Sequence, residues 1–183
     1  MHWLLLDRQS LGQIVGFIAL ALCIAAFASK DDNRLLAIMI LGNAAFALQF
    51  ALFGAQVGAA ISALNMLRVV LARRLPRNRL ATALILAATG AVAAATWQHA
   101  VDMFPLAAGV AGTVSMFMLR RVKMRIGLIV AAVCWIVANA AVGSYGAVAA
   151  EVMILVTNTI TIVRLVRDGS RQAAPDPPRF AAP

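Results

Sequence analysis

Glu151 is the only acidic residue set well inside a long apolar run of this 183-residue chain. It lies about a turn and a half from one end of that run at ~1.5 Å per residue. A charge placed in hydrocarbon costs at least ~2.5–3.5 kcal/mol on insertion scales, so such residues are usually functional. Two chemistries suit it: coupling to protons, or a polar contact to a solute. The plainer alternative is a paired or protonated glutamate that locks helices together. Asn65 and Asn158 also stand near the middle of apolar runs. An amide offers both a donor and an acceptor, which suits sugar hydroxyls or another amide. The competing role is a helix–helix hydrogen bond, worth about 0.6 kcal/mol. Glu151 and Asn158 are seven residues apart, and Ser62 and Asn65 three apart, so each pair shares a helix face. Two such stripes suit one cavity. Trp135 and Asn139 are four apart; the indole is placed to stack on a solute ring or to fill the core. Asn43 and Gln49 complete the candidate substrate-binding set.

Catalysis finds little support. His2 and His99 lie at the ends of apolar runs, and no cluster of His, Cys and carboxylate residues accompanies them. There is no phosphate loop and no serine flanked by a base. No lysine lies in an apolar run, which excludes a retinal Schiff base. Cys23 and Cys134 are both inside apolar runs and give neither a disulfide framework nor zinc spacing. No cofactor and no metal are expected.

The elements that carry these residues follow from composition. Apolar residues make up 63% of the chain and charged residues 13%, against the ~25% charged residues of a soluble domain. Mean hydropathy is +0.89. A soluble enzyme, a disordered chain and a disulfide-rich secreted domain are excluded. The apolar runs are continuous rather than alternating, so the spans are helices and not barrel strands. Seven are predicted: Leu11–Ala28, Leu35–Phe53, Gln56–Ala72, Leu80–Trp97, Met103–Leu119, Ile126–Val142 and Gly146–Val166. Residues 1–10 precede them, and residues 168–183 read as a disordered tail, rich in proline and alanine from Asp176. Arg8, the run after it and Ala26-Phe27-Ala28 have the form of a signal peptide. The run is long for that purpose and has a partner later in the chain, so it is read as a span.

Sixteen Lys and Arg against seven Asp and Glu give a net charge of +9. The basic residues fall between the apolar runs, so no nucleic-acid partner is expected. Fifteen of the sixteen lie on one side of the seven-span pattern, with Arg8 alone opposite. The positive-inside rule places those fifteen in the cytoplasm. The N-terminus is then periplasmic and the C-terminus cytoplasmic. Arg73, Arg74, Arg120 and Arg121 are topology determinants that also suit anionic lipid. Trp3, Trp97 and Tyr145 fall near the predicted interfaces as anchors.

The chain resembles itself at a shift of about 90 residues. Phe27 and Lys30 match Phe117 and Arg120, Gln49 matches Asn139, and Gly54 matches Gly143. Asn65 then Arg68 follow the first glycine, and Asn158 then Arg164 the second. The glycine-to-asparagine distances are 11 and 15, a difference of about one helical turn. Each repeat, 11–72 and 103–167, holds three helices. The fourth helix, 80–97, has no counterpart and keeps the two repeats parallel. The expected fold is all-α and membrane-integral: seven helices in a 3+1+3 order of parallel triple-helix repeats, with a pseudo-two-fold along the membrane normal.

The run Gly54-x-x-x-Gly58-Ala59, with Ala63-Leu64-Asn65-x-x-Arg68, is similar to the first half of the YgjV-type bacterial inner-membrane proteins. Gly143-Ser144-x-Gly146, Glu151, Asn158 and Arg164, with Lys123-Met124-Arg125, Trp135 and Asn139, are similar to the second half. The resemblance runs from Leu11 to Arg167. It implies the bacterial inner membrane, and a relation to the SWEET and PQ-loop group of small-solute transporters and sorting receptors. That group hinges on prolines, whereas this chain has only Pro105 near a span and no Pro-Gln pair. The expected function is transport of a small polar solute, sugar-like or vitamin-like, between the repeats. The alternative is a receptor or structural protein of the same fold.

Overall fold

The computed structural model describes residues 7–28 and 32–172. They form seven α-helices: α1 (Arg8–Ala28), α2 (Asp32–Leu52), α3 (Gln56–Arg74), α4 (Arg79–Thr96), α5 (Met103–Met118), α6 (Arg121–Ala141) and α7 (Tyr145–Gln172). A 3-10 turn, Ala100–Asp102, leads into α5, and no strand occurs among the described residues. Each predicted run is a helix with ends moved by a few residues. The largest difference is at α7, which continues through residues 168–172 of the expected tail. Residues 1–6, 29–31 and 173–183, including Lys30 and the rest of that tail, lie outside the described residues.

Five helices, α1, α4, α5, α6 and α7, are long and apolar enough to cross a membrane. In α2 the apolar stretch is shorter, Ala37–Leu52. Helix α3 carries three arginines, Arg68, Arg73 and Arg74. Large apolar side chains such as Phe17, Leu48, Leu67, Leu84, Ile126 and Val156 are exposed on the outer faces, the arrangement a lipid solvent requires. The hydroxyls of Thr89, Thr113, Ser115 and Thr157 each donate to the carbonyl four residues earlier. Such polar groups are satisfied within their own helix.

Two turns share one geometry. Gly54 and Gly143 have φ of +76° and +74°, a left-handed conformation that glycine adopts without a Cβ penalty. In the first, Gly54 N donates to Ala51 O and Ala55 N to Phe50 O; in the second, Gly143 N donates to Ala140 O and Ser144 N to Asn139 O. This is a Schellman helix ending. All four positions repeat at a shift of 89 residues, from Gly54 to Gly143. Phe50 therefore aligns with Asn139, and the match of Gln49 to Asn139 is one residue out of register. Asn65 likewise aligns with Ile154, and Asn158 with Val69. Because the two turns share their hydrogen bonds at this shift, the four extra residues set Asn158 about one turn further along its helix than Asn65.

Helix α1 packs on α2, α2 on α3, α5 on α6, and α6 on α7. Helix α3 meets α5, and α7 meets α1, so six helices close a ring. Helix α4 packs on α3 and α5 from outside it. Phe50, Val57, Ile61, Ala108, Trp135 and Ala138 form a buried apolar cluster across the ring, and Ala93 of α4 joins it. The turns after α3 and α5 carry clustered arginines and make a basic rim; those after α2, α4 and α6 lie at the other ends of these helices, the opposite rim. At the basic rim, Arg77 and Arg121 hold φ of 61° and 48°. A non-glycine residue there costs about 1 kcal/mol or more, so charge is kept where glycine would be conformationally easier.

Candidate functional site

The ring encloses a cavity of about 260 Å³. Its wall comes from α1 (Leu22, Cys23, Ala26), α2, α3, α5 (Gly112, Met116), α6 and α7, and α4 contributes nothing. The wall repeats. Met39, Gly42, Asn43, Phe46 and Phe50 of α2 line it, and so do Leu128, Ala131, Ala132, Trp135 and Asn139 of α6, each 89 residues later. Ser62, Asn65 and Val69 of α3 are matched by Glu151, Ile154 and Asn158 of α7 at the same shift. The two faces expected from Ser62 with Asn65 and from Glu151 with Asn158 thus meet in one space.

The polar groups on this wall differ in how far they are already engaged. Asn43 Nδ2 donates to Met39 O, Asn139 Nδ2 to Trp135 O, and Asn158 Nδ2 to Ile154 O. Asn158 Oδ1 also accepts from Arg125 Nη1 at 3.0 Å. By contrast, no hydrogen bond within the described residues holds the Ser62 hydroxyl, the Asn65 amide or the Glu151 carboxylate. All three residues are buried by the protein itself. Buried polar groups are normally paired, so these three are free to meet something in the cavity. Arg68 continues the Ser62–Asn65 stripe at a further three residues and lines the same space.

The cavity is closed toward the opposite rim. Gln49 Nε2 donates to Asn139 Oδ1 at 3.2 Å, tying α2 to α6. Beside this pair the Phe50 and Trp135 rings pack with centroids 5.6 Å apart, within the range of favourable aromatic pairs. Nearer that rim, the Gln13 side-chain amide bonds to Gly143 O and accepts from Tyr145 N, joining α1 to the α6–α7 turn. Gln49 is fully buried and lies outside the cavity wall. It belongs to the closure, while Asn43, Asn65, Trp135, Asn139, Glu151 and Asn158 belong to the wall. Trp135 lines the cavity and also packs in the buried apolar cluster.

Arg68 and Arg125 are the two charged wall residues that the candidate set omits. Charge counting assigns them to the basic side of the membrane. The available signal was spacing, since Arg68 falls three residues after Asn65, on the face of Ser62 and Asn65.

The family model described as "Bacterial inner membrane protein" (Imp-YgjV) matches residues 10–169. The chain is also 27% identical over 165 residues to "Inner membrane protein YgjV" of Escherichia coli (strain K12), covering 90% of each chain. No solved structure matches it.

Proposed function

The chain belongs to the Imp-YgjV family of bacterial inner membrane proteins, and from that premise we propose that it carries a small polar solute across the inner membrane through the ring cavity. One observation carries the proposal: a single cavity whose wall positions recur at an 89-residue shift on helices related as α2 to α6 and α3 to α7, with α4 excluded. Two parallel repeats with their site at the interface are the architecture of one class of transporter. On this reading all seven helices span, in the order 3+1+3 and related by an axis along the membrane normal. Helix α4 serves to restore the direction of the second repeat. The basic rim faces the cytoplasm, with the N-terminus periplasmic. Arg73, Arg74, Arg120 and Arg121 there meet anionic lipid headgroups.

Asn65, Glu151 and Ser62 offer unengaged polar groups, Asn158 and Asn139 polar groups already partly held, and Trp135 an apolar face. The closure formed by Gln49–Asn139 and Phe50–Trp135 is the outer gate, and the cavity is inward-leaning. Transport requires that this gate open while the basic side shuts.

Cys23, on the wall, reports this directly. In a Cys134→Ser background, a membrane-impermeant maleimide should label Cys23 from either face of oriented vesicles. Labelling from the cytoplasmic face alone would sink the transport reading and favour a receptor that binds from one side. Uptake by cells carrying Asn65→Ala, compared with wild type at equal expression, measures the role of the free amide. A loss of about tenfold or more is expected for a buried polar contact.

A further inference from the structure

Among the described residues the wall carries two guanidinium groups and one carboxylate, and no other charged side chain. Arg68 is 8% exposed, yet only one of its donors is engaged: Nη1 meets the neutral carbonyl of Gly109 at 3.2 Å. Its Nε has no partner. A guanidinium presents five N–H donors in a planar fork that fits an oxyanion two bonds at a time. The group is also placed deliberately. A Cβ at Gly112 would come within 2.8 Å of Arg68 Cζ, so the guanidinium lies flat on α5 only because residue 112 is glycine. Arg125, in the other repeat, is held by Asn158 Oδ1 of the next helix. Arg68 is six residues from the end of α3 and Arg125 four residues from the start of α6. The two therefore start from similar depths, ~9 Å and ~6 Å from the basic rim. Glu151, level with Ser62, lies ~9 Å beyond Arg68. Neither arginine forms an ion pair with Glu151 among the described residues.

From this we propose, on the solute reading above, that the cavity takes a small organic monoanion, its carboxylate or phosphate group between Arg68 and Arg125 and a hydroxyl or ammonium group donating to Glu151. The charge balance argues for it. A neutral solute leaves one positive charge uncompensated in a low-dielectric space, and a cation adds another; both are costly. With Glu151 ionised, one negative charge balances these three side chains. A cavity of about 260 Å³ leaves room for a small organic anion.

The test uses the full chain in nanodiscs at pH 7 with Trp3→Phe and Trp97→Phe, so that emission reports on Trp135 in the wall. The probes are lactate, inorganic phosphate and lactamide, the neutral amide of lactate. Lactate or phosphate should change Trp135 emission saturably, with lactamide at least about tenfold weaker. A response to lactate alone identifies a carboxylate, and one to phosphate alone a phosphate. Arg125→Gln, at the more open of the two arginines, should weaken the anion response by about tenfold or more, and Arg125→Lys should retain it. Equal responses to lactate and lactamide overturn the anion assignment and leave the solute reading standing. No response to any probe, or an anion response unchanged by Arg125→Gln, also overturns it. The solute reading is then decided by Cys23 labelling alone.

Discussion

Gly146→Ala tests whether the ring is closed between α1 and α7. A Cβ at residue 146 would stand 2.6 Å from Gly16 C and 2.7 Å from Phe17 N. Those are backbone atoms, so no side chain can swing away. Ordinary carbon contacts lie at ~3.5–4.0 Å, so α1 and α7 must part by about 1 Å. A gap of that size forfeits a quarter to a half of each contact along the seam. Overpacking of this kind costs about 1–3 kcal/mol. The Gln13 bonds to Gly143 O and Tyr145 N span the same seam, and stretching them adds about 1 kcal/mol. The expected loss is thus about 2–4 kcal/mol. Gly90→Ala is the control: its Cβ would meet nothing within 4 Å, and α4 gains up to ~1 kcal/mol of helix propensity. Both variants are compared by reversible unfolding in mixed micelles, following helix content against SDS mole fraction. If Gly146→Ala is as stable as Gly90→Ala, α1 and α7 do not pack backbone to backbone and the ring is open there.

Gly112→Ala should cost little stability, because its Cβ meets the far end of the Arg68 side chain; it should displace that guanidinium and abolish the anion response of Trp135 in the same fluorescence titration. Gln49→Ala removes the tie to Asn139 and should raise the rate of Cys23 labelling from the opposite rim severalfold; an unchanged rate means that this bond is no gate. Asp7 accepts from Ser10 N at 2.7 Å at the start of α1, and this bond holds its carboxyl below the ordinary carboxylate range. The cap is therefore present above the usual carboxylate pKa and is lost as pH falls through the lowered folded value, so amide exchange in the first turn of α1 should quicken only in acid. Reporter fusions after Arg79 and Arg125 should read cytoplasm and those near Asp102 and Ser144 periplasm; a cytoplasmic signal at Asp102 contradicts the seven-span arrangement.

The helices were legible because lipid leaves a chain few choices: an uninterrupted apolar run must satisfy its own backbone. The turns at Gly54 and Gly143 were legible for the same local reason. Side-chain fate was not. Arg68 and Arg73 look alike in a charge count, yet Arg68 is buried with its guanidinium over Gly112 of the facing helix, and Arg73 is exposed. Gln49 and Asn43 look alike as polar residues on one apolar helix. Six residues of rotation and rise put Gln49 behind the wall, against Asn139, and Asn43 on it. Such differences depend on which helix stands opposite, and the sequence of one helix does not contain that. Matching polar residue types pairs Gln49 with Asn139 at a shift of 90, whereas the two glycine turns share their hydrogen bonds at a shift of 89, which pairs Phe50 with Asn139, alike in place and unlike in chemistry.

Helix α4 makes the cavity wall unequal in thickness. Where α3 meets α5, the seam is backed by a second layer, with Ala93 of α4 buried behind it. Where α7 meets α1, no further helix backs the seam among the described residues, and Ile14, Phe17 and Ile18 on one helix and Val152 and Val156 on the other are exposed. Hydrocarbon completes the wall on that side. The lateral pressure and chain length of the surrounding lipid therefore press on one seam and are buffered at the other. The described helices thus leave one pane of the wall to the bilayer.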